Sequence, residues 1–193
     1  MRAEVVRRGM TRLLERGFME NKICGLVVAL FLAVALVLPM VSAAGEVEPA
    51  NQRLFHIERN KNANIVVYDA RVMPDSSLAE EDPMVVYWIK EAEDNRIEDL
   101  KGIERKMAYG FDVESREGNR LVVDLVADVG RDLVVDRHAG EYRAFMEING
   151  TTVLLDRIYI FAKETLMPPK VKYIELFGTD PETGEETYEK FKP

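Results

Sequence analysis

The run from Ile23 to Val41 constrains this chain more than any other stretch, because it decides the compartment in which the rest must fold. It holds no charged residue, Lys22 precedes it, and Ser42-Ala43-Ala44 follows it. A basic flank, an apolar stretch and then small residues form the layout of a secretory signal peptide. The competing reading is a retained membrane helix. Spanning a bilayer takes roughly 20 apolar residues, and only 16 stand before Pro39, from Ile23 to Leu38. Pro39 would end a helix just ahead of two cleavage choices, Val41-Ser42-Ala43 and Ser42-Ala43-Ala44. The sequence therefore predicts a cleaved signal over residues 1–44 and a periplasmic or secreted product. The membrane is involved only through this segment, and only if it stays uncleaved. Cys24 opens the apolar run instead of closing it, which is the wrong place for lipidation. The basic leader is long, with Arg2, Arg7, Arg8, Arg12 and Arg16 ahead of Lys22. Met10 and Met19 lie inside it as later starts. The Arg7-Arg8 pair stands too far from the apolar run for twin-arginine export and reads as a solvated stretch.

Residues 45–193 read as a single β-rich domain. They carry 20 Lys and Arg against 31 Asp and Glu, a net charge of −11. That balance argues against nucleic acid and against anionic membrane surfaces, both of which need a basic footprint. No cysteine remains, so disulfides, thiolate catalysis and Cys-ligated zinc are excluded. His56 and His138 are the only histidines, which rules out a His-rich metal centre. No cofactor and no metal are expected. A chain of this length can bury enough apolar surface to do without staples.

Along the chain, Arg53–Glu58 and Ile65–Val72 read as strands joined through Asn60-Lys61-Asn62. Met73 to Pro83 reads as a solvent-facing acidic loop that lacks the ligand spacing of a calcium site. Met84–Ile89 is apolar on both faces and predicts a central strand. The period then changes. Ile97, Leu100, Ile103, Glu104, Met107 and Ala108 fall near helical spacing, with Asn95 as N-cap and Gly110 as stop. This predicts one amphipathic helix from about Arg96 to Ala108, lying on the sheet.

Strands resume at Phe111–Arg116, Leu121–Ala127, Leu133–Arg137, Tyr142–Ile148 and Thr151–Lys163. Asn149-Gly150 is a hairpin turn of the preferred type. In the long Thr151–Lys163 stretch the apolar phase shifts from Val153/Leu155 to Ile158/Ile160, which predicts a bulge or bend at Asp156-Arg157. Lys172–Phe177 and a short closing strand to Phe191 complete the pattern. The fold class expected is mainly β: an antiparallel meander of nine or ten strands closed as a barrel or sandwich, with the helix covering it.

The segment from Leu54-Phe55-His56-Ile57-Glu58-Arg59-Asn60 through Ile65-Val66-Val67-Tyr68-Asp69-Ala70 resembles the opening of DUF4833, a bacterial family named only as a domain of unknown function. Pro83-Met84-Val85-Val86-Tyr87-Trp88-Ile89, Ala108-Tyr109-Gly110 and Tyr173-Ile174-Glu175-Leu176-Phe177-Gly178 are similar to later blocks of that family. The resemblance implies an exported bacterial protein and brings no activity, cofactor or catalytic residue with it.

No phosphate loop, nucleophile elbow, zinc helix or dinucleotide fingerprint is present. Ser76, Ser77 and Ser115 lack a supporting motif for a nucleophile. Carboxylate pairs could converge for glycoside hydrolysis, but 31 acids make that observation unspecific. The residues that suggest a pocket are His56, Arg59, Asn60, Tyr68, Trp88 and Tyr109, which combine aromatic walls with a few polar groups. The opposing reading makes the aromatics core residues with polar tips and His56 a sheet-edge residue. The function expected is a non-catalytic binding module for a small ligand. An envelope protein-interaction or structural module is the alternative, and a carboxylate-dependent hydrolase the second alternative.

Overall fold

Eleven strands run through the described part of the chain, which covers residues 48–127, 130–163 and 170–193 of a computed structural model. The leader lies outside these residues, and so does the reading of it as a signal. In chain order the strands are β1 (Ala50–Arg59), β2 (Asn62–Val72), β3 (Met84–Lys90), β4 (Arg96–Asp99), β5 (Phe111–Glu117) and β6 (Arg120–Leu125). They continue as β7 (Leu133–His138), β8 (Glu141–Ile148), β9 (Thr151–Lys163), β10 (Lys170–Thr179) and β11 (Glu186–Phe191). Among the described residues no helix is long and apolar enough to cross a membrane.

All eleven belong to one sheet, ordered β4-β3-β2-β1-β9-β8-β7-β6-β5, with β10 on the other edge of β9 and β11 beyond it. The two meanders β1–β4 and β5–β11 meet where β1 pairs with β9 in parallel, the one parallel contact among the described residues. β9 is long enough to hold both. Its first residues pair with β8, from Thr151 to Leu154, and its later residues pair with β1, from Arg157 to Ile160. The expected bulge sits between these two stretches. Phe177 pairs with Arg157 but Gly178 pairs with Leu155, so Asp156 is the extra residue. The inward phase shifts from Val153 and Leu155 to Ile158 and Ile160 across it.

The sheet curls around one core that includes Phe55, Ile57, Tyr68, Leu121, Met146, Ile158 and Leu176. Phe55 stacks on Tyr68 with centroids 4.4 Å apart. The curl stays open. β4 and β5 end the strand path and do not pair with each other, so the architecture is a half-barrel and not the closed barrel or sandwich expected from sequence. Irregular chain packs between the end of β2 and β5. Leu78 and Ala79 are buried in the Met73–Pro83 loop, which the sequence reading had facing solvent. Arg116 on β5 donates to the carbonyls of Leu78, Ala79 and Glu80, each at 3.0 Å. The Asn119 side chain accepts from the Leu78 N–H at 3.1 Å. These bonds satisfy loop backbone that no ladder reaches.

The expected helix over Arg96–Ala108 does not form. Asp94 and Asn95 both take positive φ, 54° and 57°, and turn the chain back so that Arg96 pairs with Lys90 and Asp99 with Tyr87. Pairing supplies the backbone partners of β3 that a helix here would leave open. Charges that looked like a helical face serve the hairpin, where Arg96 bonds Glu93 at 2.6 Å and Glu98 at 3.2 Å. Only Gly102–Glu104 is α-helical, and it runs into a π-turn at Arg105–Tyr109. Ile97, Ile103 and Met107 are about two-thirds exposed, at 66%, 66% and 67%, while Leu100 and Ala108 pack on the core, so the broad apolar helix face does not form.

Candidate functional site

Strand register brings four of the six sequence-predicted residues to the end of the curl where β1 and β3 finish. Arg59 is the last residue of β1 and pairs with the buried Ile160, which turns its side chain inward. Trp88 lies on the inward face of β3, and Tyr109 closes the π-turn after it. Tyr68, fully buried on β2, donates its hydroxyl to the Tyr109 carbonyl at 2.9 Å and fixes that turn against the sheet. Trp88 and Tyr109 meet edge to face at 5.2 Å. Gly110 permits the approach, because a Cβ there would run into the Arg105 carbonyl.

The Arg59 guanidinium stands 5.2 Å from the Trp88 ring centroid and 5.3 Å from that of Tyr109. Such cation–π contacts are worth about 0.5–2 kcal/mol each, rising with desolvation. Arg59 Nε is buried without a hydrogen-bond partner, and no carboxylate among the described residues pairs with this side chain. Burial raises the Tyr109 hydroxyl to about 12, against the downward pull of the Arg59 charge beside it. Burial also pushes the Tyr68 hydroxyl up, so both phenols stay neutral at any ordinary pH.

Two further residues belong here that sequence reasoning missed. Lys90, two positions beyond Trp88 on the same face, holds its Nζ 4.5 Å from the Trp88 centroid, again with no carboxylate partner among the described residues. Glu104 is near but already engaged, accepting from Trp88 Nε1–H at 3.3 Å and from the Lys101 N–H at 2.9 Å. The i, i+2 spacing of Trp88 and Lys90 was the available signal for the lysine. Glu104 could not be found, because its place depends on the turn that replaced the helix.

His56 and Asn60 go elsewhere. His56 faces outward, bonded to Glu58 at 3.1 Å, and Glu58 bonds Arg157 at 3.1 Å. Arg157 in turn lies over Phe177 at 3.5 Å. This outer strip continues with Phe161 stacked on Tyr173 at 4.8 Å and Lys190 over Tyr173 at 3.4 Å. Its ring faces are thus covered from within the chain. Asn60 extends the β1–β9 ladder, exchanging two side-chain bonds with the Ala162 backbone at 3.0 and 3.2 Å. His138 ends β7 and meets Phe145 edge to face at 6.1 Å.

A groove of about 760 Å³ lies between the start of β1 and the loop before β3, where Glu48, Arg71, Glu80, Glu81 and Asp82 line it. Its four acids are exposed and have no fixed side-chain partners among the described residues, so they do not form a preorganised pair. No group of three or more His, Cys, Asp or Glu side chains among the described residues could hold a metal ion.

A model of the family described as a domain of unknown function (DUF4833) matches residues 55–190. The chain belongs to this family. The match spans both meanders of the half-barrel and every residue of the Arg59 cluster. No curated protein and no solved structure matches the chain.

Proposed function

We propose that this DUF4833 chain is an exported, non-catalytic module that binds a small polar ligand at the end of the half-barrel. Arg59 carries the binding, Lys90 stands beside it, and Trp88, Tyr109 and Tyr68 hold the seat. One observation carries this reading: the half-buried Arg59 guanidinium lies over two aromatic rings with no carboxylate partner among the described residues. A charged donor that still reaches solvent can take a ligand acceptor there, a charge-assisted bond stronger than a neutral one. The test is a thermal-shift screen of the full chain against metabolites, sugars and salts. The expected result is a compound that raises the unfolding midpoint of the parent protein but not of Arg59→Met. A shift that survives in Arg59→Met would place binding elsewhere. Export rests on the apolar run at Ile23–Val41, and deleting residues 1–44 should leave the product folded and in the cytoplasm.

A second reading, docking to an envelope protein, draws on the exposed Ile97, Ile103 and Met107. Pulldown from an envelope fraction should then recover a partner that Ile103→Ser with Met107→Ser fails to hold. Equal recovery by both proteins would remove this reading.

A further inference from the structure

Resting on the reading of the Arg59 cluster as a ligand site, we infer that its ligand is a small oxyanion carrying a carboxylate or phosphate group, gripped between Arg59 and Lys90. The domain is strongly acidic, yet these two cations share one tryptophan ring, at 5.2 and 4.5 Å, and neither has a carboxylate partner among the described residues. Several other cations of the chain have carboxylate partners. Arg53 meets Asp69, Arg131 meets Glu189, Arg157 meets Glu58 and Lys190 meets Glu175. Two positive heads are thus brought to one tryptophan ring, with Glu104 bonded to the indole N–H as the neighbouring carboxylate.

The chemistry follows from the side chains. A guanidinium offers a planar fork of donors that matches carboxylate and phosphate oxygens, and an ammonium adds a compact point charge. The Arg59 fork is held in place by Trp88 and Tyr109, so little rotamer freedom is left to lose on binding. Both cations are only partly buried, which leaves their outer donors open to a ligand. Glu104 is turned towards Trp88 and Lys101, both of which donate to its Oε2. The Tyr109 hydroxyl stays protonated and does not add a repelling charge.

The experiment is calorimetric titration of the full chain with acetate, citrate and inorganic phosphate, alongside neutral glucose and cationic choline. The parent, Arg59→Met, Arg59→Lys and Lys90→Met are compared, each first shown to keep its unfolding midpoint. The inference expects saturable binding of at least one anion, weakened about tenfold or more in Arg59→Met and Lys90→Met and less in Arg59→Lys, which keeps the charge but loses the fork. The acetate, citrate and phosphate arms separate carboxylate from phosphate. Glucose or choline binding lost in Arg59→Met, with no anion bound, would overturn the oxyanion while leaving the ligand site intact. Anion binding unchanged in both methionine variants would overturn the inference as general surface attraction. No binding by any probe would overturn it together with the site.

Discussion

Two arginines of this chain live under opposite rules. Arg131 is paired within the chain: it forks onto both carboxylate oxygens of Glu189, reaches the Glu147 carbonyl at 2.6 Å and lies 4.9 Å from the Phe191 centroid. Glu189 also accepts the Asn149 N–H at 2.6 Å, so one ion pair ties β11 to the β8–β9 turn. Arg59 has aromatic rings for company and a buried donor that no described residue meets. The first arrangement is complete without any other molecule. The second is incomplete, and that contrast separates a structural staple from a binding group.

The comparison is broken most strongly at the staple. Arg131→Met leaves Glu189 half-buried without its partner and should cost about 2 kcal/mol in a denaturant titration. The same pair sets an acid limit. Arg131 and the Asn149 N–H hold Glu189 at about 2, below its ordinary value of 4.5. A lowered carboxylate value contributes stability above the unfolded value, and that contribution is lost as pH falls from about 4.5 towards about 2. A pH series of unfolding midpoints should show a shallower decline over that window in Glu189→Gln than in the parent.

A smaller effect is expected at Gly110, where alanine would press on the Arg105 carbonyl and loosen the turn carrying Tyr109. Gly110→Ala should cost about 1 kcal/mol and weaken ligand binding while leaving the acid profile of Glu189 unchanged. Arg59→Met should change stability by less than about 1 kcal/mol, because the lost cation–π contacts are offset by removing an unsatisfied donor and adding a side chain that packs on rings. A loss as large as that of Arg131→Met would make Arg59 a staple too. Least of all, Met107→Gln at a solvent-exposed position should stay within about 0.5 kcal/mol.

Much of the fold was legible because alternation is a local signal. The β1–β2 hairpin, the Asn149-Gly150 turn and the phase shift at Asp156 are written in neighbouring residues. Closure was not legible. Whether β4 meets β5 depends on how far the sheet curls, and that does not show in a periodic pattern. The Arg96–Ala108 stretch misled because Leu100, Glu104 and Ala108 keep helical spacing while Asp94-Asn95 supplies a tight turn that makes Arg96–Asp99 a strand. At the site, Arg59, Tyr68, Trp88 and Tyr109 were nameable as an arginine among aromatics. His56 and Asn60 were neighbours of Arg59 in sequence only, since alternate residues of β1 face opposite sides and Asn60 lies past its end.

The contrast between the two arginines can be read atom by atom. Side-chain Nε–H resonances of the full chain, followed by nitrogen-15 NMR during titration with the anion that calorimetry selects, report Arg59 and Arg131 in one sample. The Arg59 signal should move saturably while the Arg131 signal stays in place. A stationary Arg59 signal, or two signals that drift together, would contradict the assignment of the unpaired arginine as the binding group.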